Sequence, residues 1–410
     1  MRITKANEVT SMNSDIVVIG AGPSGLCLAK SLSGQGLRIT LVEQQSLEDI
    51  SNPGFDGREI ALTQYSAKLM QDLDLWSRIE SPSISQLKDA KILDGSSDFE
   101  MLIPHQLGKH KELGWLVSNH LIRKAAYEAV ADSAKTHQDI TILTSQKVVH
   151  VETNEEGGWV RLANGDQLQG RLIVAADNRF STSRRMMGIA AEMHDFGRNM
   201  LVCCMTHDVS HDNIAWEWFD YGQTLALLPM NPDPVTQMHR SSVVITVTGP
   251  EADGLMQKSP LDFSLDVERR FKNRLGKMQL VSTKHAYPLV SVYPKRLVAN
   301  RFATVGDAAV GMHPVTAHGF NFGLLGVESL SQAIIQAKNV GIDFGNMDLL
   351  ERYEKQHRRN TRPLFLITRL ITEIYTRESP PAKLLRKAML HIGQRLTPLK
   401  HSIAASLSGV

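Results

Sequence analysis

Three glycines and a glutamate near the start of the chain have the residue types and spacing needed to hold a dinucleotide. Gly20, Gly22 and Gly25 follow a G-x-G-x-x-G spacing, and Glu43 lies eighteen residues after Gly25. In this pattern the first glycine allows a tight turn, the second lets the backbone approach a pyrophosphate, and the third lets a helix pack closely on a strand. Glu43 could accept hydrogen bonds from a ribose hydroxyl, and its charge argues against a 2′-phosphate.

The surrounding residues supply the elements that must position these groups. An apolar run at 16–19 precedes the glycines, helical spacing of Leu26, Ala29 and Leu32 follows them, and a second apolar run at 39–42 ends in Glu43. This order predicts strand, turn, helix and strand, with the phosphates at the helix N-terminus, where unpaired N–H groups favour anions. A glycine-rich loop without a ligand is the alternative, and the flanking elements favour the dinucleotide.

Polar residues follow two further predicted strands. The strand at 172–175 leads into Asp177 and Arg179, although a strand followed by an N-capped helix explains this group equally well on its own. The strand before Gly306 leads into Asp307, whose carboxylate could accept hydrogen bonds from a sugar alcohol. A helix then begins at the glycine-rich stretch 319–323, and its N-terminus would stabilise negative charge on a flat polar ring.

These three groups resemble, in order and separation, the motifs of the single-component flavin-dependent aromatic hydroxylases, which have the para-hydroxybenzoate hydroxylase fold. The stretches 55–76, 287–309 and 351–365 look like the flavin hydroxylases of ubiquinone biosynthesis. The resemblance extends from Asp15 to the end of the chain and is thinnest in 190–280.

The resemblance implies an α/β fold with three parts. A discontinuous Rossmann-like FAD-binding domain would comprise 1–75, 100–185 and 285–345. An inserted β-sheet substrate domain would comprise 76–99 and 186–284, and 346–410 would form a C-terminal helical region. Alternating or apolar runs at 199–208, 213–220, 224–230 and 241–248 predict the strands of the inserted sheet.

The resemblance also implies which residues bind FAD. Glu43 would contact the adenosine ribose, Arg58 the flavin side of the cofactor and Asp307 the ribityl chain, with Asn119 the nearest candidate for one more contact. The pyrophosphate would be bound at the first motif by Gly20, Gly22, Ser24 and Gly25. The isoalloxazine ring would be bordered by Pro314, Gly319, Phe320 and Asn321.

The implied reaction is hydroxylation of the aromatic ring of a polyprenylated phenol in ubiquinone biosynthesis. NAD(P)H would bind transiently and reduce FAD, O₂ would form a flavin C4a-hydroperoxide, and its distal oxygen would be transferred to the ring. His318 stands where relatives have glutamine, so we predict that it orients a neighbour or touches substrate or flavin. No residue stands out as a base for the phenol. A hydroxylase of a small soluble aromatic, or a non-catalytic flavin-binding accessory subunit of a ubiquinone-synthesis complex, remain alternatives.

The composition indicates the class of protein and the compartment in which it is found. Apolar residues make up 42% and charged residues 21% of the chain, as in soluble globular proteins. The three cysteines and the histidines show no metal-ligand spacing, so no metal site is predicted. No nucleic-acid partner is predicted either. The polar first fourteen residues do not resemble a signal peptide, which favours the cytoplasm.

The C-terminal region is basic, with twelve Lys/Arg against four Asp/Glu in 351–410. It contains two apolar helical patterns, at 364–374 and 384–396. We expect these helices to pack on the body of the protein, with peripheral attachment to the inner face of a membrane, or to a ubiquinone-synthesis complex, as the alternative.

Overall fold

The computed structural model describes residues 11–95, 100–107, 110–220, 222–313 and 318–376. The strands are β1 (Ser11–Ile19), β2 (Ile39–Val42), β3 (Glu59–Thr63), β4 (Ile84–Leu87), β5 (Asp89–Asp94), β6 (Glu100–Ile103), β7 (Gly114–Ser118), β8 (Ile140–Leu143), β9 (Val148–Thr153), β10 (Gly158–Leu162), β11 (Gln167–Ala175), β12 (Ala191–His207), β13 (Ile214–Asp220), β14 (Gln223–Met230), β15 (His239–Thr248), β16 (Met278–Leu280), β17 (His285–Pro294), β18 (Val298–Ala299) and β19 (Phe302–Thr304). The α-helices are α1 (Pro23–Leu32), α2 (Leu47–Ser51), α3 (Gln64–Asp72), α4 (Asn119–His137), α5 (Thr182–Met186), α6 (Gly249–Gln257), α7 (Pro260–Arg270), α8 (Gly319–Asn339) and α9 (Met347–Thr376).

A parallel sheet positions the three predicted motifs. Its order is β19-β11-β1-β2-β8, and each neighbouring pair is parallel. Because parallel strands run in one direction, their carboxyl ends share one edge, where ligands of α/β sheets bind. The turns after β1, β2, β11 and β19 therefore lie side by side, as the α/β prediction requires.

Close packing of α1 on this sheet depends on the third glycine of the first motif. A Cβ added to Gly25 would overlap the carbonyl oxygen of Gly20 and lie 3.3 Å from the Cβ of Ala176. Leu28 and Leu32, which follow Gly25 on the same side of α1, are fully buried in the apolar core. The predicted packing role of Gly25 is confirmed.

A second, mostly antiparallel sheet lies across from that edge. Its order is β16-β12-β15-β14-β13-β5-β6, with β17 also paired to β12. The four predicted strands are confirmed as β12 to β15, and the alternate side chains on one face, such as Trp218 and Ile245, form a core with α6 and α7. The residues of β6 pair with β5 in this sheet. The predicted domain bounds stay a prediction.

The last described helix, α9, packs differently from the expected way. Phe365 is buried, but Ile367 and Leu370 are 51% and 54% exposed, so the expectation that this apolar pattern packs on the body is wrong for those two residues. With 3.6 residues per turn, the stripe that faces the body is Thr361, Phe365, Thr368 and Thr372. The second pattern, at 384–396, lies outside the described residues.

Candidate active site

One cavity of about 890 Å³ connects the edge of the parallel sheet to the face of the antiparallel sheet. One side is lined by the motif residues Gly20, Gly22, Ser24, Glu43 and Asp307. The other side is lined by alternate residues of β12 to β15. The cavity therefore joins the predicted cofactor site to the predicted substrate sheet.

The first motif forms an open cradle at the N-terminus of α1. Gly20 has a φ of +105°, and an added Cβ would lie 2.6 Å from the carbonyl oxygen of Ala176. Gly22 is the N-cap residue of α1. Among the described residues, no side chain caps the helix there and no atom lies within 4 Å of an added Cβ. Helix N–H groups that lack a side-chain cap can bind phosphate oxygens.

Glu43 is buried beside this cradle. One of its carboxylate oxygens accepts from the backbone N–H of Ala21 at 2.7 Å and the other from that of Gln45 at 2.9 Å. These bonds fix the carboxylate at the end of β2. Each oxygen has a second lone pair, so a ribose hydroxyl can still donate to it.

Arg58 lines the cavity as part of a three-residue cluster. Its guanidinium pairs with Asp56 at 2.6 Å, and the side-chain amide of Asn119 donates to the same carboxylate oxygen at 2.7 Å. Burial opposes ionisation of Asp56, but its hydrogen bonds with Arg58 and Asn119 and the charge of Arg58 outweigh burial and lower the pKa of its carboxyl. The sequence interpretation named Arg58 and Asn119 and missed Asp56, which holds both.

The second and third motifs meet through an ion pair that the sequence did not indicate. Arg179 donates to the carboxylate of Asp307 at 3.2 Å and to the carbonyl oxygen of Val290 at 2.9 Å. Asp177, in the same turn as Arg179, has one buried carboxylate oxygen without a hydrogen-bond partner among the described residues. Burial raises the pKa of the Asp177 carboxyl, and bonds from serines 181 and 183 offset part of that increase.

The residues predicted to border a flavin ring do not all line the cavity. Gly319 and Phe320, at the start of α8, line the cavity. Asn321 accepts from the backbone N–H of Thr63 and donates to the carbonyl oxygen of Ala61, so it ties α8 to β3. Pro314 lies outside the described residues.

His318 precedes α8 and is buried, only 5% exposed. Its ring centroid lies 5.6 Å from that of Phe322. It is not among the described residues that line the cavity. Of its two predicted roles, this placement favours orienting neighbouring residues over direct contact.

Two partly buried carboxyl groups in the cavity wall, those of Glu59 and Glu217, were not predicted from the sequence. Burial raises the pKa of Glu59 to about 7, although a hydrogen bond from the Ser118 hydroxyl opposes the increase. Burial raises the pKa of Glu217 to about 8. In β13, Glu217 lies on the face opposite the core-facing tryptophans. In a sheet with one solvated side that face would contact water, so the sequence pattern indicated only an exposed glutamate.

The residues present fit FAD. The cradle at Gly22 leaves room for phosphate groups at the N-terminus of α1, and Glu43 is fixed beside it. Asp177, one of whose carboxylate oxygens has no hydrogen-bond partner among the described residues, lines the same cavity. The cavity continues past Asp307 to an apolar wall where a second molecule could bind. This fold and site fit an FAD-binding enzyme.

Comparison with solved structures gives the fold. The chain is similar to p-nitrophenol 4-monooxygenase PnpA from Pseudomonas putida DLL-E4, with a TM-score of 0.74 and 17% identity over 97% of this chain and 98% of that chain. It is also similar to the flavin-dependent brominase Bmp2, with a TM-score of 0.72 and 15% identity over 97% and 94% of the two chains. Because two different reactions share this fold, the fold alone does not select the reaction.

Sequence comparison gives the family. The family model described as FAD binding domain matches residues 13–364, and the chain belongs to that family of FAD-dependent enzymes. It is 44% identical to ubiquinone hydroxylase UbiM of Neisseria meningitidis over 97% of this chain and 85% of the relative. It is 29% identical to ubiquinone hydroxylase UbiL of Rhodospirillum rubrum over 94% and 87% of the two chains. The prediction of an FAD-dependent monooxygenase is confirmed.

Proposed function

We propose that this protein hydroxylates the aromatic ring of a polyprenylated phenol in ubiquinone biosynthesis, using FAD, NAD(P)H and O₂. The observation that carries the proposal is the 44% identity to a ubiquinone hydroxylase across nearly the whole chain. The apolar wall of the cavity, which includes Val202, Ala226 and Val244, suits a substrate with an isoprenoid substituent better than a small charged aromatic.

Different residues would bind the different parts of FAD and border its ring. When bound, FAD would supply the redox chemistry with O₂. The Gly22 cradle and Glu43 would hold its dinucleotide part, and Asp307, held by Arg179, would hold the chain that leads to the ring. The start of α8, at Gly319 and Phe320, would border the ring, and the sheet wall would exclude water from the reacting groups.

Flavin reduction distinguishes this function from its alternatives. The FAD-loaded protein would be mixed anaerobically with NADH or NADPH, with either 2-prenylphenols of increasing chain length or para-hydroxybenzoate present. We expect only the prenylphenols to accelerate FAD reduction and to be hydroxylated once O₂ is admitted. Stimulation by para-hydroxybenzoate alone would indicate a hydroxylase of small soluble aromatics, and no stimulation by either would indicate an accessory subunit.

We propose that His318 orients the start of α8 for the reaction. The variant His318→Gln should keep its FAD but form about tenfold less hydroxylated product per NAD(P)H oxidised, since small misplacements of reacting groups cost up to about a hundredfold in the rate of the reaction. The measurement is the ratio of hydroxylated product to NAD(P)H oxidised. His150→Gln, on the exposed surface of β9, is the control. An unchanged ratio in His318→Gln would remove this role.

We propose that α9 attaches the protein to an anionic membrane surface, where a polyprenylated substrate resides. The described residues contain no helix whose length and apolar character suit it to cross a bilayer. Instead, α9 exposes Leu366, Ile367 and Leu370, with the exposed cations Arg359 and Arg362 on the same helix. Thr372, on the opposite stripe, lines the cavity, so this surface lies close to the substrate site.

Vesicle binding tests this attachment. We expect the double variant Leu366→Ser/Leu370→Ser to bind phosphatidylglycerol-containing vesicles about tenfold more weakly, because each leucine loses apolar area buried in the interface. The matched control is Leu261→Ser/Leu265→Ser on α7, where two leucines with the same spacing are exposed. Equal binding by the α9 variant and wild type would contradict the attachment.

A further inference from the structure

The cavity wall formed by the antiparallel sheet is a regular array of side chains. The strand register aligns residues of β12, β15, β14 and β13 in rows across the sheet. One row is Met200, Thr246, Thr224 and Phe219, and the next is Val202, Val244, Ala226 and Glu217. All eight side chains line the cavity. Glu217 is the one ionisable residue in these two rows, and it ends an otherwise apolar row.

The carboxyl group of Glu217 is enclosed by protein, and part of its surface faces the cavity. Its side chain has no hydrogen-bond or ion-pair partner in the described part of the chain, and burial alone raises its pKa. A buried polar group without a partner is costly. Its position therefore suits a ligand that brings a hydrogen-bonding group into the cavity.

Charged and titratable groups face this position from the neighbouring strands and from across the cavity. On the same face of the sheet, Arg198 and Arg240 donate to the carbonyl oxygens of Gly222 and Asn231. The other groups are Asp94 on β5 and, across the cavity, Arg58, Glu59, Tyr287 and His313. None of these groups contributes to the pKa shift of Glu217, whose cause is burial.

We propose that Glu217 binds the phenolic hydroxyl of the aromatic substrate and accepts its proton. The inference rests on the proposed function, because it requires a phenol in the cavity. In the transfer, the O–H bond of the phenol breaks, its electron pair stays on the oxygen, and the proton forms a new O–H bond with the carboxylate. No oxidant or reductant is consumed. The phenolate is richer in electrons than the phenol and therefore a better acceptor of an electrophilic oxygen atom.

The environment of Glu217 suits this role better than that of Glu59. An exposed glutamate has a pKa of about 4.3, far below that of a phenol near 10, so it is a weak base toward phenols. Burial raises the pKa of Glu217 to about 8, closer to that of the phenol and to the working pH. Glu59 already accepts a hydrogen bond from Ser118 at 2.5 Å.

The experiment uses the FAD-loaded protein with 2-prenylphenol carrying one isoprene unit as the probe. The variants are Glu217→Gln, which cannot accept the proton, and Glu217→Asp, which keeps a carboxyl group. The control is Glu100→Gln, the same change on β6 of the same sheet, where the exposed carboxylate pairs with Lys91. Ultraviolet difference spectra of the bound probe report its ionisation without turnover, and kcat, KM and their pH dependence report the reaction.

Wild type and Glu100→Gln should ionise the bound probe at a higher pH than Glu217→Gln does, because the carboxylate of Glu217 accepts a hydrogen bond from the neutral phenol and opposes a second negative charge. Their kcat/KM should rise with pH up to about 8, as Glu217 becomes able to accept the proton. In Glu217→Gln this pH-dependent rise should disappear, and kcat should fall about a hundredfold with little change in KM. Glu217→Asp should retain the rise at a lower kcat. Ionisation of the bound probe at the same pH in Glu217→Gln and wild type would overturn the inference and leave the proposed function standing.

Thermal unfolding separates this role from a structural one. The carboxyl of Glu217 has a higher pKa in the folded chain than in the unfolded chain, so the folded state binds more protons between about pH 4.5 and 8, and stability falls as pH rises through that window. Glu217→Gln should therefore unfold at a higher temperature than wild type near pH 8 and at the same temperature near pH 4. A lower unfolding temperature near pH 8 would show that the lost activity reflects damage to the fold and would overturn the inference.

Discussion

Replacing Gly22 with valine is expected to give a folded protein that no longer retains FAD. In the described part of the chain, no atom lies within 4 Å of a Cβ at this position. The protein can therefore accommodate the new side chain, at a cost of about 1 kcal/mol for a poorer N-cap. The same side chain would fill the space that a phosphate group needs at the N-terminus of α1. Hydrogen bonds to charged groups contribute about 1.5–3 kcal/mol each, so the affinity for FAD should fall at least about a hundredfold.

The measurement is the dissociation constant of FAD, from flavin fluorescence, together with circular dichroism of the apoprotein. Gly254→Val is the matched control, because this exposed glycine of α6 also has no described atom within 4 Å of an added Cβ and is not among the described residues that line the cavity. A Gly22→Val protein that binds FAD as tightly as wild type would show that the cradle does not hold the cofactor.

Replacing Gly25 with alanine is expected to act on the stability of the fold and not only on cofactor binding. Alanine is favoured over glycine within a helix by about 1 kcal/mol, so helix propensity alone predicts stabilisation. At Gly25 the added Cβ overlaps the carbonyl oxygen of Gly20, and α1 must move off the sheet to relieve the overlap. Because overpacking against backbone typically costs about 1–3 kcal/mol or more, the net effect should be destabilising by about 2 kcal/mol.

Urea unfolding of Gly25→Ala and of Gly254→Ala tests this difference directly. Both changes add one methyl group to a helix, but only Gly25 packs against backbone. Gly254→Ala should keep or raise the unfolding midpoint, whereas Gly25→Ala should lower it or accumulate as insoluble protein. A midpoint for Gly25→Ala at or above that of wild type would contradict the close packing of α1 on the sheet.

The cofactor side of the site could be predicted from the sequence because its signals are local. The glycine spacing and Glu43 lie within one strand-turn-helix-strand unit, and Asp307 directly follows a predicted strand. For each of these residues, the adjacent sequence is enough to predict its position at the edge of the sheet. The ion pair between Arg179 and Asp307 joins residues that are 128 positions apart in the sequence, so no local sequence pattern predicts it.

On the substrate side, the sequence predicted the strands of the sheet but not which of their side chains line the cavity. Alternation in β13 places Glu217 opposite Trp218, and for a single sheet that face would normally be exposed to water. Only the position of the second sheet against the first shows that the face is enclosed and that Glu217 lies in a cavity. In the same way, the apolar pattern of α9 predicted a helix, but the side that packs on the body carries threonines.

The source of the oxygen atom in the product tests the proposed hydroxylation of a polyprenylated phenol most directly. The FAD-loaded protein would be given NADH or NADPH, a 2-prenylphenol and ¹⁸O₂, with para-hydroxybenzoate in a parallel reaction, and the products would be analysed by mass spectrometry. We expect a prenylphenol that has gained one hydroxyl group carrying ¹⁸O, and unchanged para-hydroxybenzoate. Unchanged prenylphenols alongside labelled product from para-hydroxybenzoate, or NAD(P)H oxidation that yields only hydrogen peroxide with both compounds, would contradict it.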